Sequence, residues 1–185
     1  MDMEIDDIWA EKKGRKKIKS KTKGKRVELE LVHDLNRRFD TLLGKNSKWG
    51  KFSRTVGSGN RWGQKVQLSQ HATQTYSGDI TCPENFRFVI ESKGGYNDID
   101  ICSLFGKGNK ELDSFLQQVT DDSERSGRDP MLIWKKDRKP RLVFLKTKEL
   151  SKIKVNCKLC YKDWTAVSFD DVFGLKDEFF FNQLQ

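Results

Sequence analysis

The stretch SGDITCPENFRFVIESKGG, residues 77–95, carries two short apolar runs separated by a turn, with charged residues at their ends. Asp79 opens the first run, CPEN turns the chain, and FRFVIES at 86–92 leads into Glu91-Ser92-Lys93. Side chains two apart on a strand project from one face, so Glu91 and Lys93 point together and Ser92 points away. The second run is apolar enough to lie inside a sheet, where an unpaired acid or base is costly to bury. If CPEN closes a hairpin, residue 79 pairs near residues 89–91 and Asp79 lies beside Glu91. Two adjacent carboxylates repel unless a cation sits between them. Magnesium suits such a place, because it takes one or two carboxylates, waters and phosphate oxygens. Lys93 is then positioned to orient or deprotonate an attacking water, or to stabilise charge on a phosphate. The competing reading is a turn aspartate with a Glu91–Lys93 surface pair. The apolar strand, the glycine pair at 94–95 and the basic chain favour the chemical one.

Outward from this hairpin the elements follow by periodicity. Val27, Leu31, Leu35, Phe39 and Leu42/Leu43 recur every three or four residues, which predicts an amphipathic helix of about five turns. KFSRTV at 51–56 reads as a strand and is followed by a polar glycine-rich loop, GSGNRWGQ. Residues 79–82 and 86–92 are the next two strands. NKELDSFLQQVTDDSERSG is a second helix with Leu112, Phe115, Leu116 and Val119 on one face. PMLIWKK and PRLVFLK read as a strand hairpin across DRKP. In the last residues WTAVSF reads as a strand and DDVFGLKDEFFFNQL as a short helix. This order predicts an α/β (α+β) domain with a central mixed five-stranded sheet flanked by helices.

The chain has 185 residues and a net charge of +9, with 36 Lys+Arg against 27 Asp+Glu. That length suits one domain with short appendages, and the charge favours a polyanion, nucleic acid before an anionic membrane. No apolar run reaches the length of a spanning helix and no signal peptide is visible, so a soluble cytoplasmic protein is expected. Residues 12–26, KKGRKKIKSKTKGKR, hold ten Lys/Arg and no acid. Such a block repels itself and reads as a flexible arm that follows phosphates without sequence preference, or as a solubilising tail. Residues 1–23 are accordingly assigned to a charged arm, 24–146 to the core and 147–185 to a C-terminal extension. The extension's Trp164, Phe169, Phe173 and Phe179 to Phe181 either cover the sheet or form a dimer interface. Cys157-x-x-Cys160 has metal-ligand spacing. With no second such pair, and with His33 and His71 isolated, free thiols are preferred over a zinc site completed by Cys82, Cys102 or a histidine. No G-x-S-x-G elbow and no GxxxxGK[ST] loop occurs, which leaves serine hydrolysis and nucleotide hydrolysis unsupported.

Asp79 followed by Glu91-x-Lys93 at the end of an apolar strand resembles the PD-(D/E)xK nuclease superfamily, with Gly78 where the superfamily's name has proline. The resemblance extends toward archaeal- and phage-type Holliday junction resolvases through Gly24 and Glu28 in GKRVELELVHDL and Arg54, Gly57, Ser58 and Gly59 in RTVGSGN. It covers roughly residues 24–146 and implies a restriction-endonuclease-like core. It implies a Mg²⁺-dependent DNA endonuclease, Mn²⁺ substituting, that cuts four-way junctions as a homodimer and leaves 5′-phosphate and 3′-hydroxyl ends. On the same ground Glu28, Asp79 and Glu91 are the metal ligands, Lys93 the catalytic base or charge stabiliser, and Gln118 a further site residue with Gln117 as fallback. Glu30 is the rival to Glu28, two residues on and so about 200° around the helix. Lys25, Arg26, Arg54, Ser58, Arg61, Trp62 and Lys65 are the candidate DNA-binding residues, Trp62 by stacking on an unpaired base. The alternatives are another deoxyribonuclease of the superfamily (a nickase, a repair or a restriction-like enzyme) and a non-catalytic basic nucleic-acid-binding protein. The compact length and the arrangement lean toward a phage source.

Overall fold

A computed structural model describes residues 20–44, 50–55, 76–151 and 153–182. Its elements in chain order are α1 (Ser20–Arg38), β1 (Ser53–Arg54), β2 (Ile80–Thr81), β3 (Phe88–Gly94), a 3-10 turn (Ile101–Phe105) and α2 (Lys110–Ser126). There follow β4 (Asp129–Lys135), β5 (Arg141–Lys146), α3 (Thr147–Leu150), β6 (Lys158–Tyr161), β7 (Trp164–Ser168), α4 (Phe169–Phe173) and a last 3-10 turn (Asp177–Phe179).

The sheet has seven strands, not the expected five, in the order β1-β2-β3-β4-β5-β7-β6. It is mixed: β3 and β4 are parallel, joined by a crossover through α2, and every other pair is antiparallel. Strand alternation sorts the core into two layers. Phe88, Ile90, Met131, Ile133, Val143 and Leu145 face α1, against Leu31, Leu35, Phe39 and Leu43. Val89, Leu132, Trp134 and Phe144 face α2, against Leu112, Phe115, Leu116 and Val119. β3 and β4 are therefore apolar on both faces, as central strands covered on both sides must be.

Several local readings change. The first helix begins at Ser20, so residues 20–26 form its opening turns instead of extending the arm. The first strand contracts from 51–56 to Ser53–Arg54. KLCY at 158–161, read as no element in the sequence, is the edge strand β6 paired to β7. The helix expected over 170–184 is two short pieces, because α4 ends at Gly174 and the chain resumes as the 3-10 turn. Its aromatics turn inward: Phe39 is surrounded by Phe52, Phe86, Phe173, Phe180 and Phe181, with ring centroids 5.2–6.2 Å away. Arg87 N–H donates to the Phe180 carbonyl and Asn182 N–H to that of Asn85, which fixes the tail beside the approach to β3.

α2 is delimited by local chemistry. Asn109 accepts hydrogen bonds from the Glu111 and Leu112 amides at its start, and Gly127 at its end is left-handed, with φ 70°. The helix runs antiparallel to β3 and brings its middle over Glu91 and Lys93.

Candidate active site

β2 and β3 pair antiparallel with Ile80 opposite Ile90, so the residue before Ile80 sits beside Glu91. The Asp79 amide donates to the Ile90 carbonyl at 2.9 Å, and its carbonyl accepts from Thr55 at 2.9 Å. Asp79 is thereby held from both neighbouring strands. Its carboxylate accepts the Ser92 amide at 3.0 Å, which ties it directly to the Glu91-Ser92-Lys93 segment.

Gly78, standing where the superfamily's name has proline, adopts φ +77°. Proline is confined to φ near −65°, so this backbone cannot carry one. A Cβ at position 78 would meet the Ile90 carbonyl oxygen at 2.5 Å, so a side chain is excluded as well. Glycine here lets the chain turn tightly over β3 and deliver Asp79 to Glu91.

Glu91 is 1 % exposed. Burial, and then the charge of Asp79, push its carboxyl well above the usual range, against the opposing pull of Lys93. Lys93 donates to Glu91 and, at 2.9 Å, to Oε1 of Gln118 on α2. Its amino group lies 5.3 Å from the centroid of the Phe115 ring. Burial by itself would lower the Lys93 pKa, but the Glu91 carboxylate outweighs it and the net shift is upward. The lysine is held as an ammonium.

Glu28 on α1 lines a cleft of about 410 Å³ with Asp79, Ser92, Lys93, Gly94 and Gly95. The close approach of α1 depends on Gly94, where a Cβ would meet Val27 at 2.7 Å. Glu30 turns away, pairing with Arg26 at 3.4 Å and with Arg141 at 3.9 Å. The Arg54 guanidinium is ion-paired with Glu28. Gln117, the fallback, is exposed and donates to Asp121 at 2.7 Å. Lys25 and Arg26 are exposed on α1 and do not line the cleft. Ser58, Arg61, Trp62 and Lys65 lie outside the described residues.

Two further buried groups lie here, of which Asp122 had no part in the sequence reading. Asp122 is 3 % exposed, ion-paired to Arg125 at 2.6 Å, and accepts a hydrogen bond from the Gly78 backbone. Burial raises its pKa, with Arg125 and Gly78 opposing and Asp79 assisting. It follows Gln118 by four residues, one turn along the same helix face. That spacing was the available signal: α2 presents Gln118 to Lys93 and Asp122 to the peptide preceding Asp79. Ser92 is 7 % exposed, and its hydroxyl has no hydrogen-bond partner among the described residues.

The donor set bears on the metal that the resemblance implies. Among the described residues no three of His, Cys, Asp and Glu converge as a ready-made cluster. Glu28 is engaged by Arg54 and Glu91 by Lys93, so cations already answer the charge that gathers here. The donors at hand are all oxygens: the Glu28 and Asp79 carboxylates line the cleft, and the buried Glu91 carboxylate, which does not line it, lies beside Asp79; oxygen donors are what a hard divalent ion prefers. The residues fit Mg²⁺ or Mn²⁺, provided that Glu28 and Glu91 exchange their cationic partners for the ion. The cysteines do not form a comparable set: Cys102, Cys157 and Cys160 are exposed and free, and Cys82 is buried.

A family model described as "Phage putative PDDEXK endonuclease" matches residues 19–179. Comparisons with curated proteins and with solved structures find no match.

Proposed function

The chain belongs to this family of phage PDDEXK endonucleases, and from that premise we propose that it is a Mg²⁺-dependent DNA endonuclease that resolves four-way junctions. The observation that carries the chemistry is the convergence of Asp79, Glu91 and Lys93 across β2 and β3, with Glu28 on the facing helix. Glu28, Asp79 and Glu91 would hold Mg²⁺, or Mn²⁺ in its place. Such an ion, when bound, supplies Lewis-acid stabilisation of phosphate charge and lowers the pKa of the attacking water.

The protein's own groups do the rest. Lys93, protonated and steadied by Gln118, donates to the phosphate oxygen on which charge develops, in preference to abstracting a proton. Asp79 is fixed by the Ser92 amide and by its own strand bonds, so little ordering remains when substrate arrives. In-line attack of water on phosphorus breaks the bond to the 3′ oxygen and leaves a 5′-phosphate and a 3′-hydroxyl.

Junction resolution needs paired cuts, so the proposal includes a two-fold dimer with two active sites. Support for the branched substrate is the resolvase-like arrangement of Gly24, Glu28 and Arg54 around the hairpin. Gly24 and Glu28 line the α1 side of the cleft, and Arg54, on β1, is ion-paired with Glu28.

The test is incubation of purified protein with a labelled four-way junction, a matched duplex and a single strand, each with Mg²⁺ and with EDTA. Paired Mg²⁺-dependent nicks beside the branch point, lost in Asp79→Asn, are expected. Cutting that ignores branch structure would remove the junction assignment and keep the nuclease. Binding with no cutting in Mg²⁺ or Mn²⁺ would overturn the catalytic reading.

A further inference from the structure

The segment that leaves β3 holds an aromatic side chain at the rim of the same cleft. Tyr96 lines it beside Asp79, Lys93, Gly94 and Gly95, and is 41 % exposed. Its backbone is left-handed, with φ +52°, a conformation uncommon outside glycine and rarer still for bulky residues. Such a conformation persists only where the surroundings impose it, and residues so held gather at ligand sites.

Here the surroundings are plain. The Gly95 amide donates to the Lys135 carbonyl at 2.9 Å, and Trp134 Nε1 donates to the Gly95 carbonyl at 3.2 Å. The Ile99 amide closes back on the Tyr96 carbonyl at 3.2 Å. Asn97 donates to Asp137 at 2.8 Å and accepts from its amide at 2.9 Å, while Lys23 of α1 pairs with the same carboxylate. The Tyr96 ring rests edge-on to Phe115 of α2, with centroids 4.7 Å apart. The aromatic is therefore fixed before any ligand binds, on a loop anchored to β4, α1 and the β4–β5 turn.

We propose that Tyr96 is a preorganised platform on which one unpaired nucleobase stacks, beside the phosphate presented to Asp79 and Lys93. This rests on the endonuclease reading and narrows its substrate to DNA with a base free to leave the stack, at a branch, a flap or a single-stranded stretch. The endonuclease reading and the chain's +9 charge argue for a nucleotide as the occupant; at the cleft itself Lys23, paired with Asp137, and Lys93, paired with Glu91, stand beside the carboxylates of Glu28 and Asp79. A phosphodiester seated there meets cations at the cleft, and its neighbouring base meets the ring. Stacking on an aromatic tolerates any base, because every base has a π face. Ordering the ring in advance removes a cost that a mobile tyrosine would impose on binding.

The test uses the full chain in EDTA, so that cleavage does not intervene, and reads fluorescence anisotropy. The probes are a labelled single strand, the same length of strand built of abasic units, and a matched duplex. The proteins are wild type, Tyr96→Trp and Tyr96→Gly; glycine is at home at this φ, which offsets the packing lost against Phe115, so the last variant should stay folded.

Wild type and Tyr96→Trp should bind the base-bearing strand about tenfold more tightly than the abasic one, and Tyr96→Gly should bind the two alike. Duplex affinity should stay within about twofold throughout, since its bases are already stacked. Tyr96→Gly losing affinity for all three probes equally, retaining the wild-type preference, or failing to bind any of them would overturn the platform. Mg²⁺-dependent cleavage by wild type, measured alongside, separates the two readings. Base-selective binding without cleavage removes the endonuclease and keeps the platform, and cleavage with base-indifferent binding does the reverse.

Discussion

Replacing Gly78 with alanine tests how Asp79 is placed. The residue sits at φ +77°, and an added Cβ would lie 2.5 Å from the Ile90 carbonyl oxygen and 2.9 Å from Val89 Cγ2. The backbone conformation costs a non-glycine residue about 1–2 kcal/mol. The overlap is with main chain of a central strand, so it resolves only by shifting β2 against β3, at about 1–3 kcal/mol. Together these come to about 3 kcal/mol, which for a domain of this size lowers Tm by ~6–12 °C.

Gly127 supplies the control. It has φ +70°, yet nothing lies within 4 Å of its would-be Cβ. Gly127→Ala should therefore show the backbone contribution alone, about 1–2 kcal/mol and ~2–8 °C. Because the strand shift also moves Asp79, Gly78→Ala should lower DNA cleavage by about 100-fold, whereas Gly127→Ala leaves it near wild type. Gly78→Pro, forced to negative φ and deprived of the amide that reaches Asp122, should be worse than Gly78→Ala. The assays are thermal unfolding by circular dichroism and initial rates on a labelled substrate. A Gly78→Ala protein as stable as Gly127→Ala, or as active as wild type, would refute the steric reasoning.

Glu91→Gln should abolish cleavage and yet raise the metal-free melting temperature by a few degrees, since it removes a buried charge beside Asp79. The sign follows from linkage: the folded carboxyl is raised above the unfolded one, so its stability is present below about pH 4.5 and lost as pH rises. The gain from the variant should accordingly vanish in acid and grow toward neutrality, and a melting-temperature difference independent of pH would contradict this. Burial pushes the Cys82 thiol up to about 12, so a maleimide at neutral pH should label Cys102, Cys157 and Cys160 in the native protein and reach Cys82 only after denaturation; mass spectrometry showing rapid labelling at Cys82 would count against its burial. Asn109→Ala removes the cap of α2 and should cost about 1 kcal/mol, ~2–4 °C, with cleavage retained, because the cap lies more than two helical turns before Gln118 and Asp122. A loss of activity greater than the loss of folded protein would show instead that the cap helps to position the site.

What the sequence determined by itself is what repeats over short distances. Leu31, Leu35 and Phe39 recur at helical spacing, and β3, β4 and β5 read as apolar runs because both sheet faces are covered, so these elements were legible. Glu91 and Lys93 were legible as a pair because the strand period of two forces them to one face, and the hairpin places Asp79 beside them.

Only the tertiary structure decided the rest. KLCY has no apolar alternation strong enough to announce a strand; it becomes β6 because β7 offers an unpaired edge. Phe180 and Phe181 suited a helix face as well as a core, and their place was settled by the gap around Phe39. Arg54 pairs with Glu28, a partner 26 residues away that no local pattern could supply. Asp122 is an ordinary helical acid in the sequence; it becomes part of the site because α2 crosses the sheet where Gly78 turns. The missing proline has the same origin: glycine is required at position 78 by the 2.5 Å approach to Ile90, a constraint that exists only once β2 lies on β3.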